Sequence, residues 1–348
     1  MPKMYVLIHQ KVQPDVSANR TARFIARQYA FINGLTARGI NVLWLTKALR
    51  LGPDTAEAGS YLLPEQYVSS DPDMKEYLMC FLKRYAPQYG FNLIEANMPV
   101  SCEAIPLRPC KIGVYCGQTE RACFVRCWCN VAQLLTVAGF NISLVTDDDI
   151  RHGRLQHIDI FIMPGGSSTG KALAMTPAGG EMLQEYFSHG GKYLGICAGM
   201  YLPLGYNQAT RPFRLLEQTR LVNYRYEQDR AIPFYTLTGD TVIGKFKADC
   251  PVFFHMDPSV LFTFEQGPIF DDTPELDKIA EFVGFGDAKW QMDSNEAKAI
   301  MLGRTAIAMK DREILLFAGH PENLAHPLNC HMLFNALFYM SGGIQQHF

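Results

Sequence analysis

The sequence predicts an α/β fold: a three-layer, doubly wound, mostly parallel sheet preceded by an N-terminal α/β extension. Three observations carry that expectation. Short apolar runs of strand length alternate with longer segments of helical periodicity. The alternation breaks at Pro99–Pro109, a stretch with three prolines, and restarts at Lys111. Two strands of the second block run straight into glycine turns, at 164–166 and 195–199.

The elements follow in order. Met4 to Ile8 reads as a buried strand. Asn19 to Leu35 has apolar residues at helical spacing, with Gly39 as its stop. Asn41 to Leu45 is a second strand, and the strand–helix–strand order favours a parallel sheet. Gly52 to Asp73 reads as a polar connection, and Met74 to Tyr85 as the next helix. The proline break then separates an accessory or dimerising domain at residues 1–105 from the main domain at 106–348. In the main domain Lys111 to Tyr115, Asn141 to Val145, Ile158 to Met163 and Lys192 to Ile196 are strands. Arg121 to Ala138 is a helix closed by Gly139, and Pro177 to Ser188 is another. Thr146 to Asp149 reads as a solvated turn. Leu204 to Gln291 is less regular and more β-like. Thr305 to Met309 and Glu313 to Phe317 form a hairpin turned at Lys310–Arg312, and Leu328 to Met340 is the closing helix.

Composition narrows the function. With 48% apolar residues and a net charge of −2, the chain can bury a large core and has no basic stripe for nucleic acid or a membrane surface. The N-terminus lacks the apolar run of a signal sequence, and no apolar stretch reaches the length of a membrane span. A soluble cytoplasmic protein is the expectation. Its ten cysteines, five of them between Cys110 and Cys129, then stay as thiols.

The chemistry concentrates at Gly195-Ile196-Cys197-Ala198-Gly199, between a strand and a helix. A side chain on such a turn is lifted out of the sheet, and flanking glycines relieve the crowding. The following helix end favours thiolate over thiol. A cysteine after an apolar strand is more often a small buried hydrophobe, so the flanking context is what argues for a nucleophile. Strand 158–163 ends in Pro164-Gly165-Gly166, where backbone amides can turn toward a reacting carbonyl. Gly166 and Ala198 are the candidate oxyanion-hole pair, and Gly165, Ser167 and Tyr201 the candidate substrate contacts. Gly319-His320-Pro321-Glu322 follows a strand. There His320 can serve as base and Glu322 can fix its tautomer.

Glycine loop, Gly-x-Cys-x-Gly elbow and late His-Pro-Glu occur in the order found in class I glutamine amidotransferases, a flavodoxin-like fold. More narrowly, Val114-Tyr115, Met163 to Gly166, Gly195 to Tyr201 and Gly319 to Glu322 resemble the N-terminal amidotransferase-like domain of biotin–protein ligases. The resemblance covers residues 111 to 325. It implies a cysteine-dependent hydrolase or amidotransferase acting on a carboxamide or acyl substrate through Cys197, His320 and Glu322, with no cofactor. Two departures matter. Met200-Tyr201 replaces the His-Gln pair common after the elbow, which argues against glutamine as substrate. No acceptor or biotin-ligase motif follows His-Pro-Glu. The DJ-1/PfpI branch shares the elbow cysteine, but its acid lies where this chain has Gln118 and Glu120, and the His-Pro-Glu ending argues against it.

Other signals carry less. Cys123-x3-Cys127-x-Cys129 fits neither zinc knuckles nor common iron–sulfur runs, so packing cysteines and no metal site are expected. Cys116, at a strand end, is a candidate redox partner of Cys197. Gly165 to Lys171 lacks phosphate-loop spacing. The expected partner is a small amide or acyl compound, with a homo-oligomer allowed. The rival reading is a non-catalytic regulatory or binding module of the same fold.

Overall fold

The computed structural model describes the chain except residues 1–2, 13–16, 66–71, 98–100, 118–121, 228–229, 246, 248, 344–345 and 348. Its first third supplies five strands of a six-stranded sheet. The elements are β1 (Lys3–His9), α1 (Ala18–Ala37), β2 (Leu43–Leu45), β3 (Leu49–Leu51), β4 (Asp54–Ala56), β5 (Tyr61–Pro64), α2 (Pro72–Tyr85), β6 (Phe91–Asn97) and β7 (Glu103–Pro106). β1 and β2 do not pair as the strand–helix–strand order suggests. The fully buried Tyr-Leu-Leu-Pro of β5 lies between them, antiparallel to both, and β6 and β7 flank them, also antiparallel. The expected parallel pairing is thus replaced, because the stretch read as a polar connection contains the core strand β5 and also β4, which pairs back on β3 just before it.

The second block carries β8 (Lys111–Tyr115), α3 (Val125–Val137), β9 (Asn141–Val145), α4 (Asp147–Arg151), β10 (Ile160–Met163), α5 (Ser168–Ser188), β11 (Lys192–Ile196) and α6 (Ala198–Tyr201). Then come β12 (Tyr224–Glu227), β13 (Arg230–Pro233), β14 (Leu237–Lys245), β15 (Ser259–Glu265), β16 (Asp277–Trp290), α7 (Ser294–Met301), β17 (Thr305–Lys310), β18 (Ile314–Phe317), α8 (Cys330–Ser341) and β19 (Gln346–His347). β9, β8, β10, β11 and β18 lie side by side and parallel. By chain order this is the 2-1-3-4-5 arrangement of flavodoxin-like sheets. β17, β16, β14 and β15 extend the sheet as an antiparallel arm. β19 returns to pair with β7 of the first sheet.

Two local differences from the sequence reading have clear causes. Thr146 to Asp149 is not a solvated turn: Thr146 and Asp149 form a capping box at the start of α4, and buried Asp147 accepts the Tyr115 hydroxyl. α5 starts at Ser168, nine residues before Pro177, and continues past it by a break at Thr176, whose φ is 62°. The two sheets share one apolar core. Tyr29 of α1 packs on Phe334 of α8 with ring centroids 4.8 Å apart, and Trp44 of β2 on Phe254 at 5.2 Å. No helix among the described residues is long and apolar enough to cross a membrane.

Candidate functional site

The carboxyl ends of the parallel strands converge on one place, where ligands bind in open α/β sheets. β11 delivers Cys197, β10 the glycine turn, β18 the His320 loop, and the chain after β8 delivers Cys123 and Cys127.

Cys197 has φ 51° and ψ −115°, a region that non-glycine residues avoid at a cost of about 1–3 kcal/mol. The surroundings enforce it. Its amide donates to the Phe317 carbonyl oxygen at 2.8 Å, and a Cβ at Gly199 would overlap the Met163 carbonyl oxygen. Tyr193 Oη ties down the Gly199 carbonyl oxygen at 2.6 Å. The helix expected after the elbow is one turn, Ala198–Tyr201, followed by a 3-10 turn at Leu202–Leu204, so any dipole effect on the sulfur is small. The Ala198 amide heads that turn, where the helix itself offers no acceptor.

His320 is held from both ends. Its amide donates to the Thr263 carbonyl oxygen at 2.9 Å, and Nδ1 meets Glu322 Oε1 at 2.8 Å. Burial opposes the charged ring, but the Glu322 carboxylate and Cys197 outweigh it and raise the His320 pKa well above 6.5. Nε2 lies beside Cys197 without an aligned hydrogen bond, while Cys197 Sγ donates to the Glu265 carbonyl oxygen at 3.4 Å. Both side chains are buried: Cys197 is 6% and His320 5% exposed.

The glycine turn is fixed by a residue the sequence reading passed over. Lys171, fully buried on α5, donates Nζ to the carbonyl oxygens of Pro164 and Gly165, and Cys123 Sγ reaches the Gly165 oxygen at 3.3 Å. Burial pushes the Lys171 pKa down, against the neighbouring Cys123, Cys197 and Cys127. Because C=O and N–H are anti across a trans peptide, pinning the Gly165 oxygen to Lys171 turns the Gly166 amide the other way. Gly165 itself has no room for a side chain: a Cβ would sit 2.9 Å from His320 Cε1 and 3.2 Å from Cys127 Sγ.

Of the remaining predicted contacts, Ser167 caps α5, its Oγ accepting the Gly170 amide at 3.0 Å. Tyr201 is buried, accepts from Asn223 at 2.9 Å and packs on Tyr206 and Tyr224. Cys127 is a thiol beside the site, meeting Gly165 on the side where His320 lies, whereas Cys116 donates to the Val145 carbonyl oxygen at 3.6 Å. Gln118 and Glu120 lie outside the described residues. No group of three His, Cys, Asp or Glu among the described residues converges as a metal site. Cys127, Glu265 and Arg126 have no local signal because each acts through a partner far along the chain, and Lys171 has little because its role depends on its burial. A lysine seven residues past Pro164 was the one local hint.

No curated protein matches the chain in sequence. Among solved structures, a glutamine amidotransferase from Thermotoga maritima is similar over 67% of this chain and 99% of its own, at 9% identity and a TM-score of 0.43. A glutamine amidotransferase from Methylobacillus flagellatus is similar over 64% of this chain and 73% of its own, at 12% identity and a TM-score of 0.38. In sequence, residues 110–212 match the family described as biotin-protein ligase, N terminal, a segment that includes Gly166, Cys197 and Tyr201 and ends before His320.

Proposed function

We propose that the chain is a cysteine-dependent hydrolase or amidotransferase-like protein acting on a small carboxamide or acyl substrate in a reducing, cytoplasmic setting. The observation that carries the reading is the strained elbow of Cys197 beside an imidazole held by Glu322 at 2.8 Å. His320 Nε2 holds the proton given up by the Cys197 thiol, as its raised pKa favours, and the thiolate attacks the acyl carbon. The Gly166 and Ala198 amides receive the oxyanion. Collapse breaks the carbonyl–nitrogen bond, the amine leaves with the proton from His320, and a thioester remains. Water, activated by the same imidazole, releases the acid and restores the thiol. Glu322 keeps the Nδ1 proton in place throughout.

The test is trapping of the thioester. With a small activated ester such as p-nitrophenyl acetate, the wild-type Cys197 peptide gains the acyl mass. Cys197→Ala abolishes the gain, and His320→Gln slows it by about 100-fold or more. Acylation unchanged in both variants contradicts the reading. The closure of the site, with Cys197 6% exposed and its thiol on a main-chain oxygen, favours a second reading as a binding or regulatory module. That reading expects no adduct in any protein.

A further inference from the structure

The chain segment across the site belongs to the antiparallel arm, not to the parallel block. β15 ends at Glu265, Gln266 has a φ of 59°, and a Cβ at Gly267 would overlap the Ala318 carbonyl oxygen. Tyr201 Oη adds a contact to the Gln266 carbonyl oxygen at 3.4 Å. The segment is therefore fastened over the end of β18, beside His320.

Glu265 meets both reactive side chains. Its main-chain oxygen accepts from Cys197 Sγ at 3.4 Å, and its Oε2 stands 4.0 Å from His320 Nε2. The same Oε2 pairs with Nη2 of Arg126, at the start of α3. The Arg126 and Glu265 side chains are 66% and 28% exposed, against 7% for His320. An ion pair half in water thus adjoins the buried thiol and imidazole.

We propose that Glu265 is a positioning residue of this site, and that its pairing with Arg126 holds the mouth shut over Cys197 until a substrate parts them. The proposal rests on the Cys197–His320 reading. In the closed arrangement the thiol hydrogen is engaged by the Glu265 carbonyl oxygen instead of His320 Nε2. Release of the carboxylate by Arg126 lets the Glu265 side chain swing clear of Nε2, the sulfur turn to Nε2, and an acyl group reach the sulfur, while the backbone stays fastened. Salt screens a pair in this position but leaves core contacts alone.

The experiment is alkylation of the full chain by iodoacetamide. Modification of the Cys197 peptide is read by mass against the Cys250 and Cys330 peptides of the same molecule, both buried away from the mouth, across pH and at low and high salt. Arg126→Gln raises the Cys197 rate about two- to fivefold near neutral pH, and Arg126→Lys restores it. Salt accelerates the wild type by a similar factor and leaves Arg126→Gln unchanged. Glu265→Gln also accelerates the reaction and moves the midpoint of its pH profile down, since the thiolate no longer forms beside a carboxylate. A purely structural role leaves that midpoint in place. Unchanged rates in both variants with no salt effect on the wild type overturn the proposal, as does equal acceleration at Cys250 and Cys330. Alkylation needs no acyl turnover, so the two readings fail separately. Salt-gated alkylation without any acyl adduct retains the gate and removes the hydrolase. An acyl adduct with salt-independent alkylation does the reverse.

Discussion

A fully buried lysine must end on acceptors, and Lys171 ends on the carbonyl oxygens of Pro164 and Gly165. Its ammonium therefore sets the direction of the peptide planes in the glycine turn, including the Gly166 amide. Replacing it with methionine fills the same space but strands the buried Pro164 carbonyl oxygen, at about 1–3 kcal/mol, and leaves that of Gly165 only the weak Cys123 thiol donor. Lys171→Met is expected to lower the stability measured by urea unfolding by about 2–4 kcal/mol and to slow Cys197 acylation. A loss well under about 1 kcal/mol with normal acylation contradicts this role. At this scale the sequence was legible where spacing was short. Cys197, His320 and Glu322 stood out because glycines and a proline mark their turns. Asp147 did not, because the Tyr115 hydroxyl that makes it a buried acceptor is 32 residues away. Glu265 and Arg126 are 139 residues apart and look like surface charges in the sequence.

Among the elements, the strand–elbow–turn from β11 into α6 is the one whose chemistry depends most on backbone shape. Gly199 lies against the Met163 carbonyl oxygen of the neighbouring strand, a main-chain atom that cannot move without disturbing β10. Gly199→Ala is expected to destabilise the protein by about 2–3 kcal/mol and to abolish acylation of Cys197. Wild-type melting together with wild-type acylation contradicts that. β8, β9 and β11 have the bounds expected from sequence, each apolar run opening on a single polar residue, Lys111, Asn141 or Lys192. β5 was hidden because its four residues sit inside a polar stretch and are recognisable only by their partners β1 and β2. The break at Thr176 likewise lets one helical stretch span Pro177, which the sequence reading took for a helix start.

At the scale of the whole molecule, pairing order and shared packing were the least legible features. The parallel block could be expected from alternation, but the antiparallel first sheet, the four-strand arm and the return of β19 to β7 are long-range choices. The rings of Tyr29, Phe334, Trp44 and Phe254 join the first sheet to the rest across hundreds of residues. This topology brings Cys197 and His320, from the ends of adjacent strands β11 and β18, into one buried pair. The His320 pKa is raised, so its ion-pairing contributes stability that is complete below the unfolded value of 6.5 and is lost as pH rises through the higher folded value. The most direct measurement is the imidazole titration of His320 by nitrogen-15 NMR, in wild type and in Cys197→Ala. The account predicts a midpoint clearly above the free imidazole value in the wild type and a lower midpoint once the sulfur is removed. A midpoint at or below the free value, unmoved by Cys197→Ala, would show that the two side chains do not act as a pair.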